Sequence, residues 1–138
     1  MLRLDEIEPG VVAYFDTSIL LSDPRVRHSA ARVFRNGPFV CIEVGPGSTS
    51  WLEITSKPGR FNQRMPSLSH WKLHGSDTWR AIPAFLNYVR EPFAGRDVAF
   101  CDATRFEHTF TQFLRPRISD EGVAAIVCEM QRRNGLTA

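Results

Sequence analysis

Two neighbouring β-rich segments constrain this chain more than any other feature. Pro38–Val44 is a nearly unbroken run of apolar, mostly aromatic or β-branched residues, and Gly45-Pro46-Gly47 ends it. Trp51–Thr55 follows after a short Ser/Thr link. Two such runs separated by a Gly/Pro/Ser turn are typical of an antiparallel hairpin with a longer loop. An earlier strand is expected at Val11–Phe15. The sequence shows no amphipathic helix between these strands, and a parallel sheet would need one.

The chain ends in a segment with the pattern of an amphipathic helix. Ser119 is a suitable N-cap, and the acidic residues after it suit the positive end of the helix dipole. One apolar stripe then recurs at helical spacing, formed by Val123, Ile126, Val127 and Met130. Gly122 is a weak point that costs roughly 1 kcal/mol relative to alanine. A short helix is also expected in the 77–90 region, placed at Pro83–Arg90 because proline suits the first helical position.

Length and composition indicate one globular domain that spans residues 1–138. A chain of 138 residues is long enough for its own core, and the hydrophobic and charged fractions, 43% and 23%, are ordinary for globular proteins. The expected fold is mainly β: a small, strongly bent antiparallel sheet or barrel with the C-terminal helix packed against it.

Charge and cysteine usage bear on partners and compartment. The chain has 17 Lys+Arg against 15 Asp+Glu, a net charge of +2 that does not by itself indicate nucleic acid. Nearly all of the positive charge is arginine, which suits phosphates and base rings, although GC-rich coding sequence explains it equally well. Cys41, Cys101 and Cys128 lie far apart in apolar runs and are interpreted as buried thiols of a reducing compartment. Without a signal peptide or a bilayer-length apolar run, a cytoplasmic protein is expected.

Metal, cofactor and nucleophile motifs receive little support. His70 and His74 stand four residues apart, a spacing that brings two imidazoles to one face of a helix. Their surroundings favour a strand, and the sequence contains no HExxH, paired-cysteine, GxSxG or phosphate-loop pattern. The sequence therefore predicts no metal site and no bound cofactor.

Titratable side chains cluster after one apolar run near residue 100. We interpret Val98–Asp102 as a strand, with Asp102 at its end and Thr104 and Arg105 directly after it. A strand end holds such groups rigidly while leaving them in water, which suits general acid–base chemistry. A half-buried strand that runs into a polar turn is the simpler interpretation of the same residues.

Polar strand ends and the arginine-rich stretch 25–35 fit one reaction, metal-free cleavage of RNA. A carboxylate base removes the proton of the 2′-OH, which attacks the adjacent phosphate, while a cationic or acidic group stabilises charge and protonates the 5′-oxygen. DNA lacks the 2′-OH and cannot follow this route. Thr55 and Ser56 would position the RNA backbone. A solvated basic surface explains the arginines equally well.

Four segments of the chain, taken in order, are similar to segments of one protein family. They are Pro9–Asp16, Arg35–Glu43, Leu52–Ser56 and Val98–Arg105, the last followed by the helix start Ile118-Ser119-Asp120. Their order resembles the PemK/MazF-type toxins of bacterial toxin–antitoxin pairs. In that family they correspond to an opening strand, a second strand that begins with Arg-Pro, a strand that ends in Thr-Ser, and an acid followed by an arginine.

The resemblance implies an SH3-like antiparallel barrel with a C-terminal helix. Asp102 would match the catalytic carboxylate of the family, and Thr55 and Ser56 would match its RNA-contacting hydroxyls. Arg105 would match a downstream arginine that is more structural than catalytic. Several members also carry a catalytic arginine two residues before the acid, and here Phe100 occupies that position.

The function expected from the resemblance is a metal-independent endoribonuclease toxin that cleaves single-stranded RNA by 2′-OH attack. A small acidic antitoxin would hold it inactive, and it would form a homodimer. The expected catalytic residues are Asp102, Arg105, Arg35 and His28. The expected substrate-binding residues are Thr55, Ser56, Arg32 and Arg60.

Two other classes of function stay open at the level of the sequence. Phe100 favours a non-catalytic module on the same barrel, which binds RNA or a protein target such as a topoisomerase. An interaction domain of a larger assembly is the third class.

Overall fold

The computed structural model describes residues 2–28, 36–55, 67–86, 92–105 and 115–137. The strands in these ranges are β1 (Val12–Phe15), β2 (Gly37–Gly45), β3 (Ser48–Thr55), β4 (Lys72–Leu73), β5 (Phe85–Leu86), β6 (Phe93–Arg96) and β7 (Arg117–Ile118). The α-helices are α1 (Thr17–Leu20), α2 (Asp77–Ala81), α3 (Asp97–Ala103) and α4 (Asp120–Thr137), and 3₁₀ turns lie at Leu4–Glu6 and Ser69–Trp71. The prediction of a mainly β chain built on an antiparallel sheet is confirmed.

The β2–β3 hairpin that the sequence predicts is the centre of the fold. Val40 pairs with Leu52 and Cys41 pairs with Trp51, and a bulge after Cys41 shifts the register toward the turn. β1 pairs with the outer side of β2. On the outer side of β3, the first half of the strand pairs with β6 and its last two residues pair with β5. A separate two-stranded sheet joins β4 to β7.

Both faces of the five-stranded sheet are buried. Successive strand residues point to opposite sides, so alternate residues of each strand enter different cores. Phe15, Phe39 and Trp51 lie in one core, which Leu20 of α1 and Phe100 of α3 complete. A second core on the other face includes Val12, Val40, Leu52, Trp79 and Ile126. No pairing joins β1 to β5 or β6 among the described strands, so closure of the sheet into a barrel is not seen in this part of the chain.

The segment predicted as the strand Val98–Asp102 is a helix, α3. Its residues Ala99, Phe100 and Ala103 follow the i, i+1, i+4 spacing of a helix face, and all three are buried. A short apolar run fits a period of 2 or of 3.6, so its alternation did not distinguish strand from helix. β6 ends directly before α3, at Arg96. The acid at position 102 therefore projects from a helix and not from a strand end.

The short helix expected in the 77–90 region is α2. Ser76 caps it, because its hydroxyl accepts a hydrogen bond from the backbone N–H of Trp79 at 3.2 Å. The finer placement at Pro83–Arg90 is wrong, since Phe85–Leu86 is strand β5 and residues 87–90 lie outside the described ranges. The serine cap was a stronger signal than the proline.

The cysteines occupy two kinds of environment. Cys41 and Cys101 are buried and free, and burial raises the pKa of the Cys41 thiol to about 12. Cys128 is exposed on α4, so the expectation of a buried thiol is wrong at this position. It lies two residues after the buried Ile126, which on a helix is about 200° around the axis.

The C-terminal helix is confirmed as α4, and Gly122 lets it approach its neighbours closely. The hydroxyl of Ser119 accepts a hydrogen bond from the N–H of Gly122 at 3.1 Å. A Cβ on Gly122 would lie 2.7 Å from Cγ of Trp71 and 2.7 Å from Cγ2 of Ile118. The glycine is thus required by packing, in spite of its helix propensity. No helix in the described ranges is long and apolar enough to cross a bilayer.

We expect Gly122→Ala to lower the free energy of unfolding by about 1–2 kcal/mol, because overpacking outweighs the better propensity of alanine. Urea denaturation measures this change. Ala124→Gly is the matched control: it makes the reverse exchange at an exposed position of the same helix and should cost about 1 kcal/mol from propensity alone. A Gly122→Ala protein more stable than the wild type would contradict the packing argument.

Candidate functional site

Asp102 lies in an open cleft between α3 and the segment that follows α1. Its side chain is exposed, and Val98, one helical turn earlier, lines the same cleft. Asp23 and Arg96 also line it, and the volume is about 380 Å³. The cleft therefore brings two carboxylates and a guanidinium into one water-accessible space.

The guanidinium in this cleft is already engaged. Nη2 and Nε of Arg96 donate to Oδ2 of Asp23 at 2.8 and 3.2 Å. The hydrogen bond from Arg96 lowers the pKa of Asp23, and the backbone N–H of Arg25 and the charges of both arginines lower it further. Within the described ranges no ion pair is found to the carboxylate of Asp102. Sequence reasoning missed the Asp23–Arg96 pair, because 73 positions separate the two residues and no local pattern marks them.

Phe100 belongs to the core and not to the cleft. Residues two apart on a helix point about 200° away from each other, so Phe100 faces inward where Asp102 faces water. The Phe100 ring centroid lies 5.3 Å from that of Phe15 and 5.6 Å from that of Trp51. The side chain is fully buried. A longer side chain at this position would have to leave the core to reach the carboxylate of Asp102.

Arg105, an expected catalytic residue, holds the end of α3. Its Nη1 donates to the carbonyl oxygen of Asp102 at 3.0 Å and to that of Thr104. A carboxylate near it is that of Asp16, whose pKa is lowered chiefly by a hydrogen bond from the hydroxyl of Ser18 and also by the charge of Arg105. These hydrogen bonds of Arg105 therefore fit a structural role at the end of the helix.

The segment that contains His28 extends the edge of the sheet. Arg27 exchanges two backbone hydrogen bonds with β6, at 2.7 and 2.9 Å. The ring centroid of His28 lies 5.7 Å from that of Phe93, at the start of β6, and both His28 and Arg27 are exposed. Arg96 stands three residues further along this strand, a distance of roughly 10 Å. His28 thus lies beside the other end of β6 from the Asp102 cleft.

Thr55 lines a different groove from Asp102. It pairs with Phe85 at the end of β3, and it borders a space of about 310 Å³ together with Lys72 and Trp79. The structure therefore separates the expected RNA-contacting hydroxyl from the expected base. The remaining expected site residues, Ser56, Arg32, Arg35 and Arg60, lie outside the described residues.

The two closely spaced histidines do not form a helical pair. His70 lies in a 3₁₀ turn, with its ring centroid 4.3 Å from that of Trp71. His74 follows β4 in a turn, with a φ of 58°. Among the described residues, no group of three or more His, Cys, Asp or Glu is placed to hold a metal ion.

Comparison with known proteins finds no relative. No family model matches the chain, and neither a curated protein nor a solved structure is found to be similar. The likeness to PemK/MazF-type toxins thus depends on the four sequence segments alone.

Proposed function

We propose that this chain is a PemK/MazF-like, toxin-type module that binds single-stranded RNA without cleaving it. The observation that carries this proposal is the burial of Phe100, at the position where the resemblance implies a catalytic arginine. A carboxylate base also needs a partner that stabilises charge on the phosphate and protonates the 5′-oxygen. In the described part of the chain, the guanidinium of Arg96 is bound to Asp23, and that of Arg105 is bound to backbone carbonyls.

The exposed segment beside β6 offers a surface for RNA. Arg25, Arg27 and His28 are exposed there, and two backbone hydrogen bonds fix the segment to the sheet edge. Guanidinium groups pair with phosphates, and both guanidinium and imidazole planes stack on bases. Phe93 supports the ring of His28 from one side. These features favour a sequence-tolerant contact with single-stranded RNA.

We further propose that the sheet belongs to an SH3-like barrel, and that the protein is a homodimer held inactive by a small acidic antitoxin, as the resemblance implies. Hydrogen bonds on the outer edge of β1 support the barrel. The N–H of Arg105 donates to the carbonyl of Tyr14 at 2.7 Å, and the N–H of Val12 donates to that of Pro116 at 3.0 Å. These bonds continue the sheet past β1. An acidic partner would complement the basic edge beside β6.

The second candidate is the metal-independent endoribonuclease, and it is favoured by the shared cleft of Asp102 and Arg96. Asp102 would take up the 2′-OH proton, the 2′-oxygen would attack phosphorus, and the bond to the 5′-oxygen would break as that oxygen gains a proton from water. The products would be a 2′,3′-cyclic phosphate and a free 5′-OH. Arg96 would have to exchange Asp23 for the phosphate.

Incubation of the pure protein with end-labelled single-stranded RNA in EDTA separates the two candidates. Under the proposed function the RNA is retarded on a native gel and stays intact, and Asp102→Asn changes neither result. Discrete cuts that leave 2′,3′-cyclic phosphates would overturn it, if they disappear in Asp102→Asn and persist in Asp77→Asn. Asp77 is the matched control because it is an exposed acid on another helix, α2.

The same assay tests the RNA surface through the double variant Arg25→Gln/Arg27→Gln. Loss of two phosphate contacts should weaken binding roughly tenfold and reduce the slope of log affinity against log salt by about 1.4. Arg80→Gln, at an exposed arginine on α2, should bind RNA as the wild type does. An equal loss in this control, or a wild-type protein that does not retard RNA, contradicts the proposed function.

A further inference from the structure

A second groove lies where the ends of β1, β2 and β3 face residues 72–84. Its volume is about 310 Å³, and apolar walls come from Ile54, Trp79, Ile82 and Pro83. Thr55 and Glu53 add polar groups, and Lys72 is the cation among its lining residues. Apolar pockets with a few converging polar groups are typical of small-molecule sites. Residues of the proposed RNA surface do not line this groove.

Three interactions fix the ammonium of Lys72 in the groove. Its Nζ donates to the carbonyl oxygen of Trp79 at 2.6 Å and to that of Ile82, and it lies 4.5 Å from the centroid of the Trp79 ring. The carbonyl groups and the ring face each present negative charge to the ammonium. The two carbonyl oxygens use two of the three N–H groups of the ammonium, so within the described residues the third makes no hydrogen bond.

The charge of Lys72 is not neutralised by an acid in the described ranges. The ion pairs found there all use arginine as the cation. Burial lowers the pKa of Lys72, because the ammonium is partly removed from water. The acid that also lines the groove is Glu53, which is engaged elsewhere and forms no ion pair with Lys72 among the described residues. An anion bound beside Nζ would offset the free-energy cost of removing the ammonium from water.

We propose that this groove binds a small molecule with one carboxylate and a compact apolar body. The carboxylate accepts the remaining hydrogen bond from Nζ of Lys72, and the body packs against Trp79 and Ile82. A monoanion matches the single cation, whereas a phosphate dianion would face the carboxylate of Glu53 with too few donors. The site stands whether or not the protein binds RNA, because the two surfaces share no residue.

Calorimetric titration with two probes of matched shape, 3-phenylpropionate and 3-phenylpropan-1-ol, tests the site. We expect the acid to bind at least about tenfold more tightly than the alcohol, because only the acid brings a negative charge to the ammonium of Lys72. Lys72→Met should remove this preference for the acid over the alcohol. Arg80→Gln, which removes an exposed cation from the neighbouring α2, should keep it. Equal affinities for acid and alcohol, or no binding of the acid, would overturn the proposal.

Since Lys72 also holds the end of α2, a second measurement uses the wild-type protein. The chain contains two lysines, Lys57 and Lys72, so peptide mass mapping separates their acetylation rates. We expect 3-phenylpropionate to slow acetylation of Lys72 severalfold and to leave Lys57 unchanged, and we expect the alcohol to protect neither. Acid binding that leaves the acetylation rate of Lys72 unchanged would place the ligand elsewhere and refute the assignment.

Discussion

Replacing Phe100 with arginine should lower the free energy of unfolding by at least about 4 kcal/mol. Removal of a buried phenylalanine side chain alone costs about 3–5 kcal/mol. The new guanidinium would lie beside Phe15 and Trp51, in a core where a charge has no partner. Domains of this size are stable by about 5–15 kcal/mol, so the variant would retain little stability. Urea denaturation followed by circular dichroism measures the loss.

Val98→Arg is the matched control for this experiment. It places the same side chain on the same helix, at a position that is 42% exposed. Its effect on the free energy of unfolding should stay within about 0.5 kcal/mol. A stable Phe100→Arg protein that gains RNA cleavage would contradict the core role of Phe100, and the proposal of binding without catalysis would fall with it.

Gly10→Ala should cost about 2–4 kcal/mol through backbone strain and collision. Gly10 has a φ of 99°, and a Cβ there would lie 2.5 Å from the carbonyl oxygen of Ile118. The backbone cannot shift freely, because the N–H of Gly10 donates to Cys41 and its carbonyl accepts from the N–H of Ile118, both at 2.8 Å. These bonds connect β7 to the central hairpin.

Gly37→Ala supplies the comparison for Gly10→Ala. Nothing lies within 4 Å of a Cβ on Gly37, and its φ is not positive. Alanine should therefore change the free energy of unfolding by about 0.5 kcal/mol or less, with a small gain from reduced entropy of the unfolded chain. Equal destabilisation of the two variants in urea would show that strain at Gly10 is not the cause.

The elements that could be predicted are those with local signals. The β2–β3 hairpin follows from two β-rich runs around a Gly-Pro-Gly turn, and α4 follows from a serine cap and an apolar stripe. α3 has no such signal, because its apolar run is short and its cap, Arg96, makes no side-chain capping bond. In the helical conformation, Phe100 packs against Phe15 and Trp51, which come from distant parts of the chain.

The arrangement of the candidate site could not be predicted for a different reason. The sequence marks Asp102 by its position after an apolar run, but its cleft partners Asp23 and Arg96 come from distant parts of the chain. The polar strand ends and the resemblance both group Thr55 with Asp102, whereas Thr55 lines a separate groove together with residues 72–84. Long-range packing determines which of these side chains share a cleft, and no local spacing in the sequence indicates that packing.

Burial of the hairpin on both faces limits where this protein can gain or lose residues during evolution. One inserted residue within β2 would reverse the direction of the side chains on one side of the insertion. Phe39 would then point toward the core that now contains Val40, or Val40 toward the core that contains Phe15 and Trp51. In a sheet with one solvent-exposed face, such a shift would disturb the packing of one core, whereas in this sheet it disturbs the packing of two cores. Length variation among natural homologues should therefore fall at Gly45–Gly47 or outside the hairpin, and shifted strand pairings should be rejected early in folding.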